Sequence, residues 1–526
     1  MTSAGLIVST TNGPVCGLLV DDVELFVEVP YGASTAGANR FLPPQPPQSW
    51  ASPREATTWT NRAPQNPDEA IGRTPRQWFA IQGSYYAPGI SEDCLTLNVW
   101  TPSTSNDRRR PVLVWIHGGG FAVGHAASHM SDGQNMAVRS DVVFVSISHR
   151  LNAFGFLDIA ALAGPRYASS GNLGLLDLIA GLEWVRDNIA AFGGDPGSVT
   201  VVGESGGGAK VSTLLTMPAA EGLIHRAVCE SGVALHASSR ESSTAYAQAL
   251  IAELGGVEAS ALFDASTAEL LTAQVAVALH HPELPSPGPV ANGSDLPRTP
   301  VDTWGLGYGP DLPVLAGTAA NEVTVFGHID LDLDVDIPDA YRHGVGVGQR
   351  SPVAARSLDR VAEFAGVELL TVIKVWREQH PGCTDEEAAE ALMGDVIFGY
   401  PTVRFAEMRS DHGKQTFLYR LDWASPFIAP LGACHSTSVS FFFDNTERVD
   451  FTRGNERARA LATTMRTSLE AFMRTGSPAA EGGAKWVPYD RESRSVMIFD
   501  DLPRVERDPD GAVRDALAAV RPRSLM

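Results

Sequence analysis

Ser205 is the residue of this chain whose neighbours most favour covalent chemistry. It stands in Gly203-Glu204-Ser205-Gly206-Gly207, after the β-branched run of residues 199–202 and before residues 209–215, which predict a helix. Glycine two residues before and two residues after a serine gives the G-x-S-x-G pattern of a nucleophile elbow. The strand-to-helix turn in such an elbow is so tight that larger flanking side chains would collide. While this motif stands alone, a glycine-rich turn without a catalytic role is the alternative.

A second glycine-rich turn lies upstream of the elbow. His117-Gly118-Gly119-Gly120-Phe121 follows the continuous apolar run of residues 111–116, which predicts a central strand. Only glycine lets backbone N–H groups crowd towards one point without a Cβ in the way. An ordinary glycine turn is the alternative for this motif alone, but its pairing with the elbow favours an oxyanion hole. We expect His117 to order the turn rather than to take part in the reaction.

Two further segments place the elbow in a family context. Phe192-Gly193-Gly194-Asp195-Pro196 precedes it, and Ser91-Glu92-Asp93-Cys94-Leu95-Thr96-Leu97-Asn98-Val99-Trp100, which ends in an alternating strand, lies farther upstream. Together with the elbow, these segments closely resemble the signatures of the type-B carboxylesterases. That family belongs to the α/β-hydrolases and includes the cholinesterases and bacterial nitrobenzyl-type esterases.

The order of apolar segments predicts the fold class independently of this resemblance. Strands alternate with helices along the chain, which predicts a mostly parallel sheet covered by helices on both faces, with chemistry at its C-terminal edge. The resemblance implies that this α/β arrangement is an α/β-hydrolase fold. We expect loops from residues 61–90 over the entrance to the site. Helices from residues 330–400 are expected to form part of a cap around a gorge.

The length of the chain bears on its domain count. By length alone, 526 residues would allow roughly three or four domains. The segments that match the family extend from near residue 29 to near residue 499. The resemblance therefore implies one domain over residues 1–526.

The resemblance assigns two further catalytic residues. Glu322 follows the strand that residues 314–317 predict, and it occupies the position of the family's acidic triad member. His435 stands in Gly432-Ala433-Cys434-His435, which matches the Gly-x-x-His context of the family's histidine. The chain order Ser205, Glu322, His435 is the order expected of this fold.

Gly206 follows the nucleophile, where the family usually has alanine. Its backbone N–H would join those of Gly119 and Gly120 in the oxyanion hole, whichever side chain it carries. The missing methyl group could loosen the oxyanion hole or leave extra room beside Ser205 for a bulky acyl or alcohol group. We expect the extra room, because the helix that follows should limit the loosening.

Other residues near the triad support it or depart from the family pattern. Glu204, before the nucleophile, and Ser231, at the end of the next predicted strand, are expected to support the catalytic residues. Val323 stands where the family usually has glycine. Ser438 stands three positions after the histidine, where the family commonly has an acidic residue, so the local support of this loop is expected to differ.

These residues imply a serine hydrolase that cleaves carboxylic esters of small molecules through an acyl-enzyme intermediate. Neither a metal nor an organic cofactor is expected. A lipase or an amidase on the same scaffold would use identical machinery with a different pocket. A non-catalytic binding or adhesion relative is a remote alternative, because such relatives tend to lose the serine that this chain keeps.

Composition bears on partners and location. The net charge is −21 and the pI about 5.0, which disfavours nucleic acid or an acidic membrane surface as a partner and is sufficiently explained by solubility. No apolar run approaches the roughly 18 residues of a membrane span, and the N-terminus lacks the features of a secretory signal. We expect a cytoplasmic monomer or homodimer.

Two predictions concern the same N-terminal region. Secreted relatives pair the cysteine at position 94 with one some thirty residues upstream in a Cys-Pro-Gln context, and this chain has Ala63-Pro64-Gln65 there. We therefore expect all five cysteines (16, 94, 229, 383 and 434) to be free thiols, which agrees with a cytoplasmic location. By analogy with relatives, Arg40 and Glu92 are expected to form a buried ion pair.

Overall fold

An eleven-stranded sheet forms the centre of the structure. The computed structural model describes residues 6–66, 80–83, 86–87, 89–104, 108–327, 358–479 and 485–522. In chain order the strands are β1 (Ile7–Ser9), β2 (Pro14–Cys16), β3 (Leu18–Val20), β4 (Val23–Pro30), β5 (Arg54–Glu55), β6 (Asn61–Arg62), β7 (Gly89–Ile90), β8 (Thr96–Thr101), β9 (Arg110–Ile116), β10 (Val143–Ile147), β11 (Gly194–Glu204), β12 (Arg226–Glu230), β13 (Val314–Ala319), β14 (Thr416–Leu421), β15 (Ser495–Phe499) and β16 (Arg504–Arg507).

The large sheet is parallel at its centre and antiparallel at its edges. Its strands lie in the order β16-β15-β14-β13-β12-β11-β9-β10-β8-β4-β3. All neighbours from β15 to β10 pair in parallel, whereas β16, β8, β4 and β3 pair antiparallel. Every residue of β9 and β10 is buried, as expected of parallel strands that are covered on both faces. The predicted mostly parallel sheet is therefore confirmed.

Helices follow most of these strands. They are α1 (Gln134–Ser140), α2 (Asn152–Phe156), α3 (Ala160–Ala163), α4 (Leu173–Asn188), α5 (Gly206–Leu214), α6 (Arg240–Glu253), α7 (Ser260–Asp264), α8 (Thr267–His280), α9 (Pro300–Gly305), α10 (Thr324–Gly327), α11 (Leu358–Ala365), α12 (Leu370–Gln379), α13 (Asp385–Gly394), α14 (Tyr400–Asp411), α15 (Thr437–Phe442), α16 (Glu456–Thr475) and α17 (Gly511–Val520). In the part of the chain that the structure describes, no helix combines the length and apolarity that crossing a membrane requires.

Alternate side chains of each central strand enter two different cores. In β9, Val112 and Val114 pack with α4 and α5 on one face, while Leu113 and Trp115 pack with α1 and α16 on the other. This alternation follows from the two-residue period of a strand. Trp184 of α4 lies in the first of these cores.

A third apolar core lies among the helices near the end of β13. It brings together Val323 with side chains of α11, α12, α13 and α17. The loops predicted over residues 61–90 and the cap helices predicted over residues 330–400 lie partly outside the described residues. Within the second range, the structure describes α11 to α13, a π-helical turn (Asp395–Gly399) and the start of α14.

The sheet register aligns the strand ends that carry chemistry. Gly203 of β11 lies opposite Ile116 of β9, and Glu204 lies opposite Glu230 of β12. The carboxyl ends of β9, β11 and β12 therefore meet at one edge of the sheet, which is where parallel α/β folds bind ligands.

The expected ion pair between Arg40 and Glu92 is present and buried. Nε and Nη2 of Arg40 donate to the two carboxylate oxygens of Glu92 over 3.0 and 2.6 Å. The Thr267 hydroxyl donates to Glu92 Oε1, and Arg40 Nη1 donates to the carbonyl of Ala265, each over 2.6 Å. The pair thus joins the N-terminal segment to the region of α7 and α8.

Glu92→Ala is expected to lower the free energy of unfolding by about 3–5 kcal/mol, because it leaves the buried Arg40 guanidinium without its counter-charge. Denaturant titration would measure this loss. Asp411→Ala is the matched control, since Asp411 forms a bidentate pair with Arg491 at 2.7 and 2.9 Å on the surface. It should lose no more than about 1 kcal/mol. Equal, small losses in both variants would contradict a stabilising role for the Arg40–Glu92 pair.

All five cysteines lie in the described residues and all are free. Cys16, Cys94, Cys229 and Cys434 are buried, whereas Cys383 is partly exposed. Burial raises the pKa of the Cys229 thiol to about 12 and also raises the pKa values of Cys94 and Cys434. The thiolate, which is the reactive form, is therefore suppressed at Cys94, Cys229 and Cys434.

Titration with a disulfide reagent such as Ellman's should detect five thiols in the denatured, unreduced protein. In the native protein Cys383 should react first, and the buried thiols should react only on unfolding, because burial limits the access of the reagent. A count of three on denaturation would reveal a disulfide and would contradict the expectation of five free thiols.

Candidate active site

Ser205 occupies a strained turn between β11 and α5. Its backbone has φ 56° and ψ −126°, a positive φ that non-glycine residues seldom adopt. A Cβ placed on Gly203 would lie 2.4 Å from the carbonyl of Gly207. Gly203 is therefore needed because the backbones before and after Ser205 approach each other closely. A Cβ on Gly207 would lie 2.1 Å from the carbonyl oxygen of Ile116, so this glycine allows α5 to approach the end of β9.

His435 and Glu322 form a short hydrogen bond. His435 Nδ1 lies 2.6 Å from Glu322 Oε2, and both side chains are buried. The backbone N–H of Ala319, at the end of β13, donates to Glu322 Oε1 over 2.8 Å. One carboxylate oxygen is thus fixed by the strand end and the other faces the imidazole.

Asn321 joins the two loops that carry these residues. Its backbone N–H donates to the Ala433 carbonyl over 2.9 Å, and its side-chain oxygen accepts the Ala433 N–H over 3.0 Å. The Thr324 hydroxyl also donates to the Leu431 carbonyl over 2.7 Å. The acidic loop and the histidine loop therefore hold each other in register, although more than a hundred residues separate them in sequence.

The other ring nitrogen of His435 faces the elbow. His435 Nε2 lies 3.1 Å from Oε1 of Glu204, the residue before Ser205. The Ser436 hydroxyl donates to the same oxygen over 2.6 Å. The imidazole is therefore flanked by two buried carboxyl groups, Glu322 on one side and Glu204 on the other.

Sequence reasoning did not single out Glu230, a third buried acid of this site. Burial raises the pKa of its carboxyl to about 8, a hydrogen bond from Ser438 opposes this rise, and the charge of Glu204 adds to it. The Ser438 hydroxyl donates to Glu230 Oε2 over 2.7 Å. Ser438, which stands where the family commonly has an acidic residue, therefore acts as a hydrogen-bond donor to Glu230. The position of Glu230 at a strand end, directly before Ser231, was the available signal.

The three predicted oxyanion donors border the elbow. Gly119 and Gly120 lie in the loop after β9 with φ 93° and 63°, and Gly206 is the first residue of α5. Among the described residues, the backbone N–H groups of these three glycines have no protein acceptor. Such unoccupied donors near a nucleophile are what a developing oxyanion requires.

His117 orders this loop, in agreement with expectation. Its Nδ1 lies 2.8 Å from the Gly118 carbonyl, and its ring stacks on that of His149 with 4.6 Å between centroids. Burial, together with the nearby charge of Lys210, lowers the pKa of both imidazoles well below the usual value. Both rings are therefore neutral, and Nδ1–H of His117 donates to the carbonyl.

The expectation of extra room at Gly206 is wrong. A Cβ on Gly206 would lie 2.1 Å from the carbonyl oxygen of Gly120 and 2.4 Å from its Cα. The backbone of the oxyanion loop fills the space that the missing methyl group leaves. Gly206 therefore allows a close approach of α5 and this loop, and it does not widen a pocket.

Two aromatic rings that the sequence did not single out lie against His435. The ring centroids of Phe398 and Phe326 lie 4.6 and 5.5 Å from that of the imidazole. Phe398 belongs to the π-helical turn, which precedes Pro401. Because Pro401 has no N–H to donate to the Ile397 carbonyl, the regular helical pattern is interrupted there. Proline after a helical segment was the signal for this irregular turn.

The remaining predicted residues have simpler environments. The backbone N–H of Ser231 donates to the Gly317 carbonyl over 2.7 Å, while within the described chain its hydroxyl has no protein partner. A supporting role for Ser231 stays a prediction. Val323, where the family has glycine, packs into the third apolar core. In the described ranges, no cluster of three or more His, Cys, Asp or Glu side chains could hold a metal ion.

Sequence comparisons identify relatives over almost the whole chain. The model of the carboxylesterase family matches residues 4–514. The para-nitrobenzyl esterase of Bacillus subtilis is 32% identical over 522 residues, which cover 97% of this chain and 98% of that protein. The liver carboxylesterase of Sus scrofa is 32% identical over 530 residues, which cover 94% of this chain and 89% of that protein.

Structural comparison agrees with these matches. The carboxylesterase EST55 of Geobacillus stearothermophilus superposes with a TM-score of 0.80 at 32% identity, covering 97% of this chain and 100% of that one. A PNB esterase structure gives a TM-score of 0.77 at 29% identity. The predicted family and the α/β-hydrolase fold class are thereby confirmed. The chain belongs to the carboxylesterase family and is a carboxylic ester hydrolase.

Proposed function

We propose that the protein cleaves carboxylic esters of small molecules through an acyl-enzyme formed on Ser205, with His435 as base and Glu322 as its acidic partner. The contact of 2.6 Å between His435 Nδ1 and Glu322 Oε2, with Nε2 facing the elbow, carries this proposal. Ser205 is 8% exposed to solvent, whereas His435 is 1% exposed, so the serine is the member of the proposed triad that a substrate can reach.

His435 takes the proton of Ser205 as Oγ attacks the ester carbonyl carbon, and then delivers it to the departing alcohol. Glu322 holds the tautomer with the proton on Nδ1 and stabilises the imidazolium that forms. Water then attacks the acyl-enzyme in the same manner, releasing the acid and restoring the serine.

The second carboxyl group beside the imidazole has a supporting role. Glu204 Oε1 lies 3.1 Å from His435 Nε2, so its negative charge also favours the protonated imidazole in the transition state. The N–H groups of Gly119, Gly120 and Gly206 receive the negative charge that develops on the carbonyl oxygen.

The wider setting is also a proposal. We propose one domain over residues 1–526, present in the cytoplasm as a monomer or homodimer. The sheet that extends from Leu18 to Arg507 supports one domain, and the five free thiols agree with a reducing compartment.

Ser205→Ala and His435→Ala should each lower kcat for p-nitrophenyl acetate by about 10³-fold or more, because the first removes the nucleophile and the second removes its base. The double variant should lose little more than either single variant, since the two residues act as a unit. Steady-state kinetics on the three proteins would test this.

Ser198→Ala is the matched control, because Ser198 lies on the same strand as the elbow but far from its carboxyl end. It should keep wild-type turnover and melting temperature. Near-normal esterase activity in the Ser205→Ala protein would overturn the proposed function. Including p-nitrophenyl palmitate in the assay separates an esterase, which prefers short chains, from a lipase.

Gly206→Ala should lower turnover of small and bulky esters alike, by about 10²-fold, because its Cβ must displace the Gly120 peptide. Gly305→Ala is the control, since a Cβ there meets no atom within 4 Å. A loss confined to bulky esters would show that position 206 acts through the pocket, as the sequence alone led us to expect.

A further inference from the structure

Lys210 is a fully buried lysine that the proposed triad does not use. It lies on α5, four residues after Gly206, and it has no exposed surface. Its Nζ donates to the Gly120 carbonyl over 2.7 Å and approaches the His117 carbonyl at 3.3 Å. One ammonium group therefore contacts both ends of the loop that carries Gly119 and Gly120.

Each carbonyl of this loop has a donor. His117 Nδ1 contacts the Gly118 carbonyl, and the N–H groups of Ala122 and Val123 donate to the Gly119 carbonyl over 3.3 and 3.1 Å. Lys210 supplies the donor for the two remaining carbonyls, the first and the last. Because a peptide unit is planar, fixing the C=O of one residue also fixes the N–H of the next residue. The bonds to the Gly118 and Gly119 carbonyls therefore orient the N–H groups of Gly119 and Gly120, and Lys210 anchors the peptides on either side of them. The directions of the candidate oxyanion donors thus depend on this set of hydrogen bonds.

Gly206 and Lys210 act on the same peptide of the loop. Residues four apart lie on one face of a helix. The Gly120 oxygen is 2.7 Å from Lys210 Nζ and would be only 2.1 Å from a Cβ at position 206. The lysine draws the loop towards α5, and the glycine leaves the space that this approach needs.

The surroundings of Lys210 are mostly apolar or neutral. Burial lowers the pKa of its ammonium to about 7, and the charge of Glu204 opposes this shift. The Phe121 ring centroid lies 5.4 Å from Nζ, and the nearby His117 and His149 are neutral. The group is therefore held mainly by backbone carbonyls, whose geometry it fixes in return.

We propose that Lys210 is a positioning residue of the oxyanion hole: by binding the His117 and Gly120 carbonyls it holds the loop so that the N–H groups of Gly119 and Gly120 face Ser205. This role rests on the proposed function, in which those N–H groups stabilise the tetrahedral intermediate. Lys210 touches the loop and does not touch the substrate.

Lys210→Met keeps the apolar stem and removes the donor. It is expected to lower kcat by about 10²-fold, the effect of a displacement of roughly 1 Å in a reacting group, with KM nearly unchanged. The Ki of a trifluoromethyl ketone inhibitor tests the oxyanion hole directly. Ser205 Oγ adds to its carbonyl carbon, the carbonyl π pair becomes an oxyanion and the serine proton moves to His435. Its Ki should rise in parallel with the loss of kcat, while the Ki of the matching methyl ketone should not change.

Lys414→Met is the matched control. Lys414 also donates to backbone carbonyls, those of Gly307 and Gly309, but it lies far from the elbow in the region of α9 and β14. Its removal should leave kcat and both Ki values at wild-type levels. Lys210→Gln, which keeps an N–H donor without the charge, should lose less than Lys210→Met. It carries the test if the methionine variant does not fold.

A double-mutant cycle tests the link to Gly206. Without the lysine, the Gly120 peptide can move away from an added methyl group, so Gly206→Ala should cost less in the Lys210→Met background than in the wild type. Multiplicative losses would show that the two positions act independently and would overturn the proposal. So would a folded Lys210→Met or Lys210→Gln protein with an unchanged ratio of the two Ki values. Either result, with Ser205→Ala inactive, would leave the proposed function intact, whereas an active Ser205→Ala protein would overturn that function itself.

Discussion

The close approach of backbones around Ser205 is the constraint on which the site depends. Its carbonyl oxygen would lie 1.9 Å from a Cβ on Gly232, and its N–H donates to the Glu230 carbonyl over 2.8 Å. A strained φ at a non-glycine residue costs about 1–3 kcal/mol. The bond to Glu230 and the first bond of α5, from Ala209 N–H to the Ser205 carbonyl, offset that strain. A larger residue at any glycine of this junction would move Ser205 relative to the loop that follows β9.

The polar groups around the imidazole follow from the same burial. Three carboxyl groups (Glu204, Glu230 and Glu322) are buried near His435, where water cannot solvate them. The Ser436 hydroxyl donates to Glu204 and the Ser438 hydroxyl to Glu230. The Ala319 N–H donates to Glu322. Hydrogen bonds are stronger in a medium of low polarity, and a buried carboxylate without donors would lower the stability of the folded state. Ser436 and Ser438, which follow His435, therefore supply hydrogen bonds to the acids beside the imidazole.

The sequence singled out the residues whose proposed roles follow from motif and order, and it missed residues that enter the site through long-range contacts. Ser205 was singled out from its flanking glycines. Glu322 and His435 were singled out from a family pattern, and in the structure His435 Nδ1 lies 2.6 Å from Glu322 Oε2. The parallel sheet followed from alternation alone. Gly206 was misread because a missing side chain does not reveal whether the space it leaves is open or filled. Its space is filled by Gly120, which is distant in sequence, so only the packing of β9 against β11 decides the matter.

Lys210 shows why buried polar residues escape sequence reasoning. Lysine is almost never fully buried unless it is paired, so a lysine in a helix is assigned to the surface by default. Here its partners are backbone carbonyls, which carry no residue-specific signal in the sequence. The departures from the family pattern also have partners in the structure. Ser438 donates to Glu230, and Val323 lies in the third apolar core. Gly206 and Lys210 both approach the Gly120 carbonyl. A departure at one position of a close-packed site is therefore best interpreted together with the residue that shares its contact, because the pair, and not either residue alone, determines where the loop lies.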